Sequence, residues 1–232
     1  MIAVIIPTYN EETTIKATIQ KLRQYDVGNF IKEIIISDGG STDATVPIAK
    51  AEGVNVLISQ KKGRAAQMNF GASIATEGIL YFLHADTIPP RNFTKDITQA
   101  IDLGCGAGCF RLSFDYNHWF LKANCWFTRF DVDAIRFGDQ SLFVTKEYFE
   151  KTGGFREKNI VLEDQEFIKR LKRIARFTII KKPVVTSARK YIKNGIFKTQ
   201  FIFFVIYFMY LFGYSQKKLV TTYKKLIAEN KL

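Results

Sequence analysis

Three acidic motifs, Asp38-Gly39-Gly40-Ser41-Thr42-Asp43, His84-Ala85-Asp86 and Glu163-Asp164, are spaced along the chain, and each carries groups able to do chemistry. Asp86 follows the apolar run Ile79-Leu80-Tyr81-Phe82-Leu83, so its carboxylate emerges at the rim of a buried strand. A hard divalent cation held there by a carboxylate and by diphosphate oxygens would neutralise charge developing on a nucleotide leaving group. The competing reading makes Asp86 a turn cap ahead of Pro89 and Pro90. His84 reads as a strand-end packing residue.

Glu163 and Asp164 precede Phe167, Ile168 and Leu171, the apolar face of a helix, which puts both carboxylates in its first turn or cap. A fixed carboxylate at a pocket edge can serve as general base toward a hydroxyl, and helix capping is the alternative. Asp38, at a strand end, is placed to accept a hydrogen bond from a nucleobase imide or a ribose, since the chain has no Gly-x-Gly-x-x-Gly fingerprint. Asp43 reads as a capping residue of the same turn. Gly63-Arg64 sets a cation at a helix N-terminus, where free amides favour phosphate. Arg64 therefore reads either as a phosphate or base ligand or as plain surface. Asp139 and Gln140, ahead of the strand Ser141 to Thr145, line the same pocket.

The elements that must position these groups alternate. Ala3 to Ile6, Glu33 to Ser37, Val54 to Ser59 and Ile79 to His84 are short apolar, β-branched runs that read as strands. Helical patterns lie between them near Glu12 to Gln24, Asp43 to Glu52 and Ala65 to Ala75. Such alternation implies a mostly parallel sheet with right-handed crossovers and a ligand site beyond the carboxyl ends of the strands. The motifs at Pro7 to Glu11, Asp38 to Asp43 and Ala85 to Thr87 all follow strands. The glycine-rich segment Gly104 to Leu112 reads as a strand that admits close approach of another backbone or a ligand.

Composition bounds the rest. With 232 residues, 47% hydrophobic and 24% charged, the chain can bury a full core as one domain with a smaller appendage. The 34 Lys and Arg against 22 Asp and Glu give a net charge of +12, which favours anionic partners without choosing among them. Cys105 and Cys109, if on one strand, are about 13 Å apart, too far for a disulfide. All three cysteines read as buried thiols in a reducing compartment. Met1 to Ile6 runs directly into a strand with no charged start or cleavage region, so a cytoplasmic location is expected.

From Phe201 to Tyr214 the chain is uncharged and apolar. As a helix this run is about 21 Å long, short of the roughly 30 Å hydrocarbon core of a bilayer. Basic residues precede and follow it, the composition of an interfacial anchor on the inner face of the cytoplasmic membrane. Packing against the catalytic domain or against a twin subunit is the alternative.

The ordered series Ile5-Ile6-Pro7-Thr8-Tyr9-Asn10-Glu11, Asp38 to Asp43, Gly63-Arg64, His84-Ala85-Asp86, Gly138-Asp139-Gln140, Gly153-Gly154-Phe155 and Glu163-Asp164 resembles family 2 glycosyltransferases of the GT-A fold. The resemblance is to their small stand-alone bacterial members, some of them assigned to arsenosugar biosynthesis. It implies an α/β GT-A domain over residues 1–190, a Rossmann-like, mostly parallel sheet flanked by helices, followed by a basic, aromatic helical tail over 191–232. By the same resemblance Pro7, Tyr9, Glu11 and Asp38 frame the base of a nucleotide-diphosphate sugar and Arg64 assists the nucleotide. Asp86 faces a divalent cation, Mg2+ or Mn2+. The resemblance further implies Asp164 as the catalytic base with Glu163 beside it, and Asp139 and Gln140 on the acceptor side.

Two departures bear on the chemistry. The family's usual acidic pair is here His84-Ala85-Asp86, so one carboxylate is missing and weak metal affinity is expected. The Gln-x-x-Arg-Trp signature of processive synthases is absent, which implies transfer of a single sugar, with inversion because no enzymic nucleophile is nominated. The acceptor class stays open between a lipid-linked group and a small metabolite, and no nucleic acid is expected. The rivals are a sugar nucleotidyltransferase, which needs a glycine-rich, basic triphosphate loop near the N-terminus, and a non-catalytic basic module that binds membrane or nucleic acid.

Overall fold

The computed structural model describes residues 1–132 and 138–227. The last five residues of the expected tail, 228–232, and the segment 133–137 of the expected catalytic domain lie outside the described residues. The first half runs β1 (Ile2–Thr8), α1 (Ile15–Tyr25), β2 (Ile31–Asp38), α2 (Thr45–Ala51), β3 (Asn55–Ile58), α3 (Arg64–Ile74) and β4 (Ile79–Phe82). β5 (Thr87–Ile88), α4 (Phe93–Asp102), β6 (Ala107–Phe114) and α5 (Trp119–Phe127) follow. A 3-10 turn (Gly138–Gln140) leads into β7 (Leu142–Thr145), α6 (Lys146–Thr152), α7 (Glu163–Leu171) and β8 (Phe177–Thr186). The chain then turns helical through α8 (Arg189–Asn194), α9 (Ile196–Leu211) and α10 (Gln216–Leu226).

One sheet carries everything, in the order β3-β2-β1-β4-β7-β6-β8-β5. It is parallel from β3 to β4, as the strand-helix alternation implies, and mixed beyond, where β7 runs antiparallel to both β4 and β6. Successive side chains of a strand point to opposite faces, so β1 feeds two cores. Ile2, Val4 and Ile6 pack with Ile15, Ile19 and Leu22 of α1 and with Phe93 and Ile97 of α4. Ala3 and Ile5 pack with Ala65, Met68 and Ala72 of α3 and with Phe167, Ile168 and Leu171 of α7. Buried on both faces, β1 reads as the continuous apolar run that a central parallel strand requires.

Small residues let α3 lie close on the sheet. A Cβ built on Gly71 would meet Cγ2 of Ile5 at 2.6 Å, and Ile5 is fully buried. Gly71→Ala is therefore expected to lower stability by about 1–3 kcal/mol through overpacking, measured by urea unfolding. In β6 the glycine-rich stretch admits neighbours closely, because a Cβ on Gly108 would overlap the Phe143 ring at 2.4 Å and the Thr178 carbonyl at 2.5 Å. None of the three cysteines is in a disulfide, but only Cys105 and Cys109 are buried; Cys125 is half-buried on α5.

The first helix starts three residues later than its pattern suggests, because the segment before it is used to lace two loops. Asn10 adopts φ 54°, a left-handed conformation that asparagine tolerates. Its amide donates to Ser41 Oγ (2.8 Å) and its side-chain carbonyl accepts from the Thr42 amide (2.9 Å). The Glu11 amide donates to Thr45 Oγ1 (2.7 Å), and Glu12 Oε2 accepts from the Ala44 amide (2.9 Å). Asp43 accepts from the Glu12 and Thr45 amides, but Ala44 holds the N-cap position of α2 without a side-chain cap bond, so Asp43 braces the turn one residue ahead of the cap expected of it.

Candidate active site

The carboxyl ends of β1, β2 and β4 open on the same edge of the sheet, and the loops laced there form one wall of the site. Asp38 is fully buried and shapes that wall. Its oxygens accept from Thr8 Oγ1 (3.0 Å), the Gly40 amide (2.8 Å), the Ser41 amide (2.7 Å) and Ser41 Oγ (2.5 Å). Four donors fill a carboxylate's capacity, so Asp38 is committed to holding the turn. Gln67 of α3, which the sequence reading passed over, ties the two strand ends from below, donating to the carbonyls of Thr8 (2.7 Å) and Ser37 (2.8 Å). Pro7 is buried within β1, in register with Ser37 of β2, and Tyr9 is half-buried at its exit.

Two arginines organise the acidic residues. Arg189, first residue of α8, donates to both oxygens of Glu11 (2.8 Å each) and lies 3.1 Å from Oδ2 of Asp86. It was not foreseen, since 178 residues separate it from Glu11. Arg64, first residue of α3, places Nε 2.8 Å from Oε1 of Glu163, first residue of α7. Burial pulls the Arg64 guanidinium down, but Glu163, Asp164 and Asp139 outweigh it and its pKa stands above the usual arginine value. A third pair joins the two groups. His84 donates from Nδ1 to Asp139 (3.1 Å), so it is an ion-pairing residue and not the packing residue expected.

Burial works against the charge of His84, yet the bond to Asp139 prevails and its pKa is raised. Burial likewise works against Asp139, and His84 overcomes it, holding that carboxyl at about 2. For Asp86 burial wins over His84 and Arg189, so its carboxylate is held above the usual range. A carboxylate in that state gains from a further cation. Asp86 and the diphosphate of a nucleotide together make the oxygen-donor set that Mg2+ or Mn2+ takes, one carboxylate plus substrate phosphates, so the residue fits the group. Among the described residues no cluster of three or more His, Cys, Asp or Glu is arranged to hold a metal by itself.

The helix N-terminus at α7 separates the two acidic neighbours. Leu162, at φ 62°, occupies the cap position without a side-chain hydrogen bond to the helix, so neither Glu163 nor Asp164 is its N-cap. Glu163 has no exposure, and neither of its oxygens has a hydrogen-bond partner; the contact with Arg64 is one of charge without hydrogen-bond alignment. Asp164 retains 8% exposure at the same mouth. Asp139 is more open than Gln140, which is buried and accepts from the Cys109 thiol at 3.6 Å.

Burial pushes the Glu163 carboxyl up to about 7, against the pull of Arg64. The sign follows directly. A carboxyl raised in the folded state binds more protons folded than unfolded, so raising the pH from the ordinary value of 4.5 to about 7 costs stability. Glu163→Gln is expected to flatten that segment of the melting-temperature profile relative to the unaltered protein. Parallel pH slopes for the two proteins would refute the raised pKa.

Comparison with known proteins places the chain in a family. The family described as Glycosyl transferase family 2 matches residues 3–160. A PGL/p-HBAD biosynthesis glycosyltransferase of Mycobacterium bovis is 36% identical over 92 residues, 37% of this chain and 35% of that relative. The glucosyl-3-phosphoglycerate synthase of Mycolicibacterium smegmatis is 27% identical over 97 residues, covering 38% of this chain and 32% of the relative. The matched segment thus spans about a third of the length of such relatives.

Among solved structures, S. aureus TarS 1-349 superposes with a TM-score of 0.67 at 16% identity, over 95% of this chain and 68% of that one. The mannosyltransferase PcManGT of Pyrobaculum calidifontis, in complex with GDP-Man and Mn2+, also gives 0.67 at 18% identity, over 99% and 64%. The fold is that of GT-A enzymes. The chain belongs to glycosyl transferase family 2.

Proposed function

We propose that this glycosyltransferase moves a single sugar from a nucleoside-diphosphate sugar to a hydroxyl or phosphate oxygen of an acceptor, with inversion at the anomeric carbon. One observation carries the reading: Arg64, at the start of α3, lies 2.8 Å from Glu163 at the start of α7 and within reach of the charges of Asp164 and Asp139, and Asp139 in turn pairs with His84, two residues before Asp86. Asp164 takes the acceptor proton, the acceptor oxygen attacks the anomeric carbon, and the bond from that carbon to the diphosphate breaks. Glu163, shut off from solvent, positions Arg64. Asp86 would hold a divalent cation, Mg2+ or Mn2+, which supplies neutralisation of the leaving diphosphate when bound. Pro7, Tyr9 and the turn held by Asp38 frame the base, Glu11 is fixed by Arg189, and Asp139 borders the acceptor side.

Three kinds of support stand behind the donor. Similar structures carry UDP-GlcNAc, UDP or GDP-Man, and several contain Mn2+ or Mg2+. The strand-end position suits a diphosphate. The net charge of +12 favours an anionic donor. Inversion is tested by proton NMR of the freshly formed product. A product anomer opposite to that of the donor is expected, and retention would require a nucleophile that this reading does not assign.

A further inference from the structure

The tail helix α9 is apolar all round, yet only one of its faces is buried. Thr199, Ile202 and Ile206 face inward; Ile202 and Ile206 pack with Val161 and with Leu219, Tyr223 and Ile227 in and after α10. The opposite face presents Phe197, Phe201, Phe204, Phe208 and Leu211 to solvent, spaced by alternating steps of four and three, as one helical stripe requires. Phe201 is 68% exposed, and the stripe ends in Phe212, 79% exposed, and Tyr214. No helix among the described residues is long and apolar enough to cross a membrane. The 16 residues of α9 span about 24 Å.

A second helix widens the stripe. Phe120 of α5 packs against Phe197 with tilted rings, centroids 4.8 Å apart, and Asn124 one turn on donates to Gln200 (3.1 Å), so α5 lies alongside α9. From α5, Trp119 (68% exposed), Trp126 and Phe127 add to the apolar surface. The chain has two tryptophans, and both are exposed on α5. Contiguous apolar surface of this kind marks an interaction site.

Charge identifies the partner. Ser187 to Ile227 contains no Asp or Glu, and neither does Tyr116 to Phe130. Lys190, Lys198, Lys217, Lys218, Lys224 and Lys225 belong to the first of these stretches. A second copy of the chain would bring two such stretches together with no carboxylate from either to offset their lysines, in a chain of net charge +12, at a cost in like-charge repulsion. An anionic bilayer meets both features, taking the aromatic rings at the headgroup boundary and the ammonium groups at the lipid phosphates.

We infer that the α5–α9 face is a reversible docking surface for anionic membranes. Seated there, the protein keeps its site close to the bilayer, because α8, immediately before α9, carries the arginine that grips Glu11 and Asp86. The inference rests on surface and charge alone and does not depend on which sugar is transferred.

Intrinsic tryptophan fluorescence of the full chain reports the contact, since Trp119 lies beside Phe197 and Trp126, seven residues on, shares its side of α5. With vesicles rich in phosphatidylglycerol whose acyl chains are brominated, the emission is expected to be quenched. Phosphatidylcholine vesicles should quench less, and high salt should reverse the effect. The triple variant Phe201→Ser, Phe204→Ser, Phe208→Ser changes only exposed rings, so its melting should stay close to that of the parent. Its partitioning into anionic vesicles should fall by about tenfold or more. Lys217→Glu with Lys218→Glu should weaken partitioning in low salt and matter little in high salt. Absence of quenching overturns the proposal, as does vesicle recovery without quenching, which would mean attachment by lysines alone. Light scattering that shows a dimer, lost in the triple variant, would assign the face to self-association and overturn it as well.

Discussion

Asp164→Asn is expected to lower the rate of sugar transfer by at least about 100-fold, the lower end of what positioned proton transfer contributes, while nucleoside-diphosphate binding and melting stay near those of the parent. The structure sharpens this test. A helix-capping role predicts little change, since asparagine caps as well as aspartate, and Leu162 already occupies the cap position. Asp164 lies one residue into α7, where the helix dipole favours a negative charge by about 0.3–1 kcal/mol. That is too little to explain a rate loss of the expected size. Glu163→Gln should harm turnover less than Asp164→Asn, because Glu163 is sealed from the acceptor and acts through Arg64. Near-normal transfer by Asp164→Asn would remove it as the base.

Asp86→Asn is expected to weaken divalent-dependent donor binding by roughly 10- to 100-fold or more, measured by calorimetric titration with and without Mn2+. The carboxylate sits at the strand end with burial raising its pKa and Arg189 on one oxygen, so a second cation entering with a diphosphate has both a ligand and a reason to bind. Asparagine keeps the shape and removes the charge. The metal-independent part of the affinity should survive, carried by the loops that Asp38 and Asn10 hold together. Equal affinity for parent and variant in the presence of Mn2+ would take Asp86 out of the metal role. Retention of full ion dependence would do the same.

The half of the fold that sequence made legible is the half in which local pattern and tertiary environment agree. β1, β2 and β4 are buried on both faces, so each appears as a short unbroken apolar run, and the motifs follow because parallel strands deliver their loops to one edge. Asp38 and Asp86 are legible in the sequence for the same reason, and Glu163 and Asp164 because they precede the apolar face of α7. What pairs with them is not. Arg189 meets Glu11 across nearly the whole chain, and His84 meets Asp139 through a 3-10 turn that belongs to another strand connection.

Nothing in the local sequence of Arg189 distinguishes it from a surface cation. His84 could have been suspected only from its place in the motif, where the family's first carboxylate usually stands. Gln67 looked like any polar residue of an amphipathic helix, and only the convergence of β1 and β2 beneath it gives its amide two carbonyls. The start of α1 was misplaced because Glu11 and Glu12 favour helix by propensity, while the turn at Ser41 to Thr45 recruits their backbone and side chains first. The tail was ambiguous for a different reason. A helix apolar all round has no periodicity to show which face packs, and only the tertiary contact of Ile202 and Ile206 with Val161 and α10 settles it.

The most direct test of the account is the product released from a panel of UDP- and GDP-sugars by the intact protein, with Mg2+ or Mn2+ and after chelation. Saturable turnover that releases nucleoside diphosphate, and that falls on chelation, is the result expected of a cation-assisted glycosyl transfer at the Asp86–Asp164 site. Release of pyrophosphate, or no saturable binding of any nucleotide sugar, would contradict it.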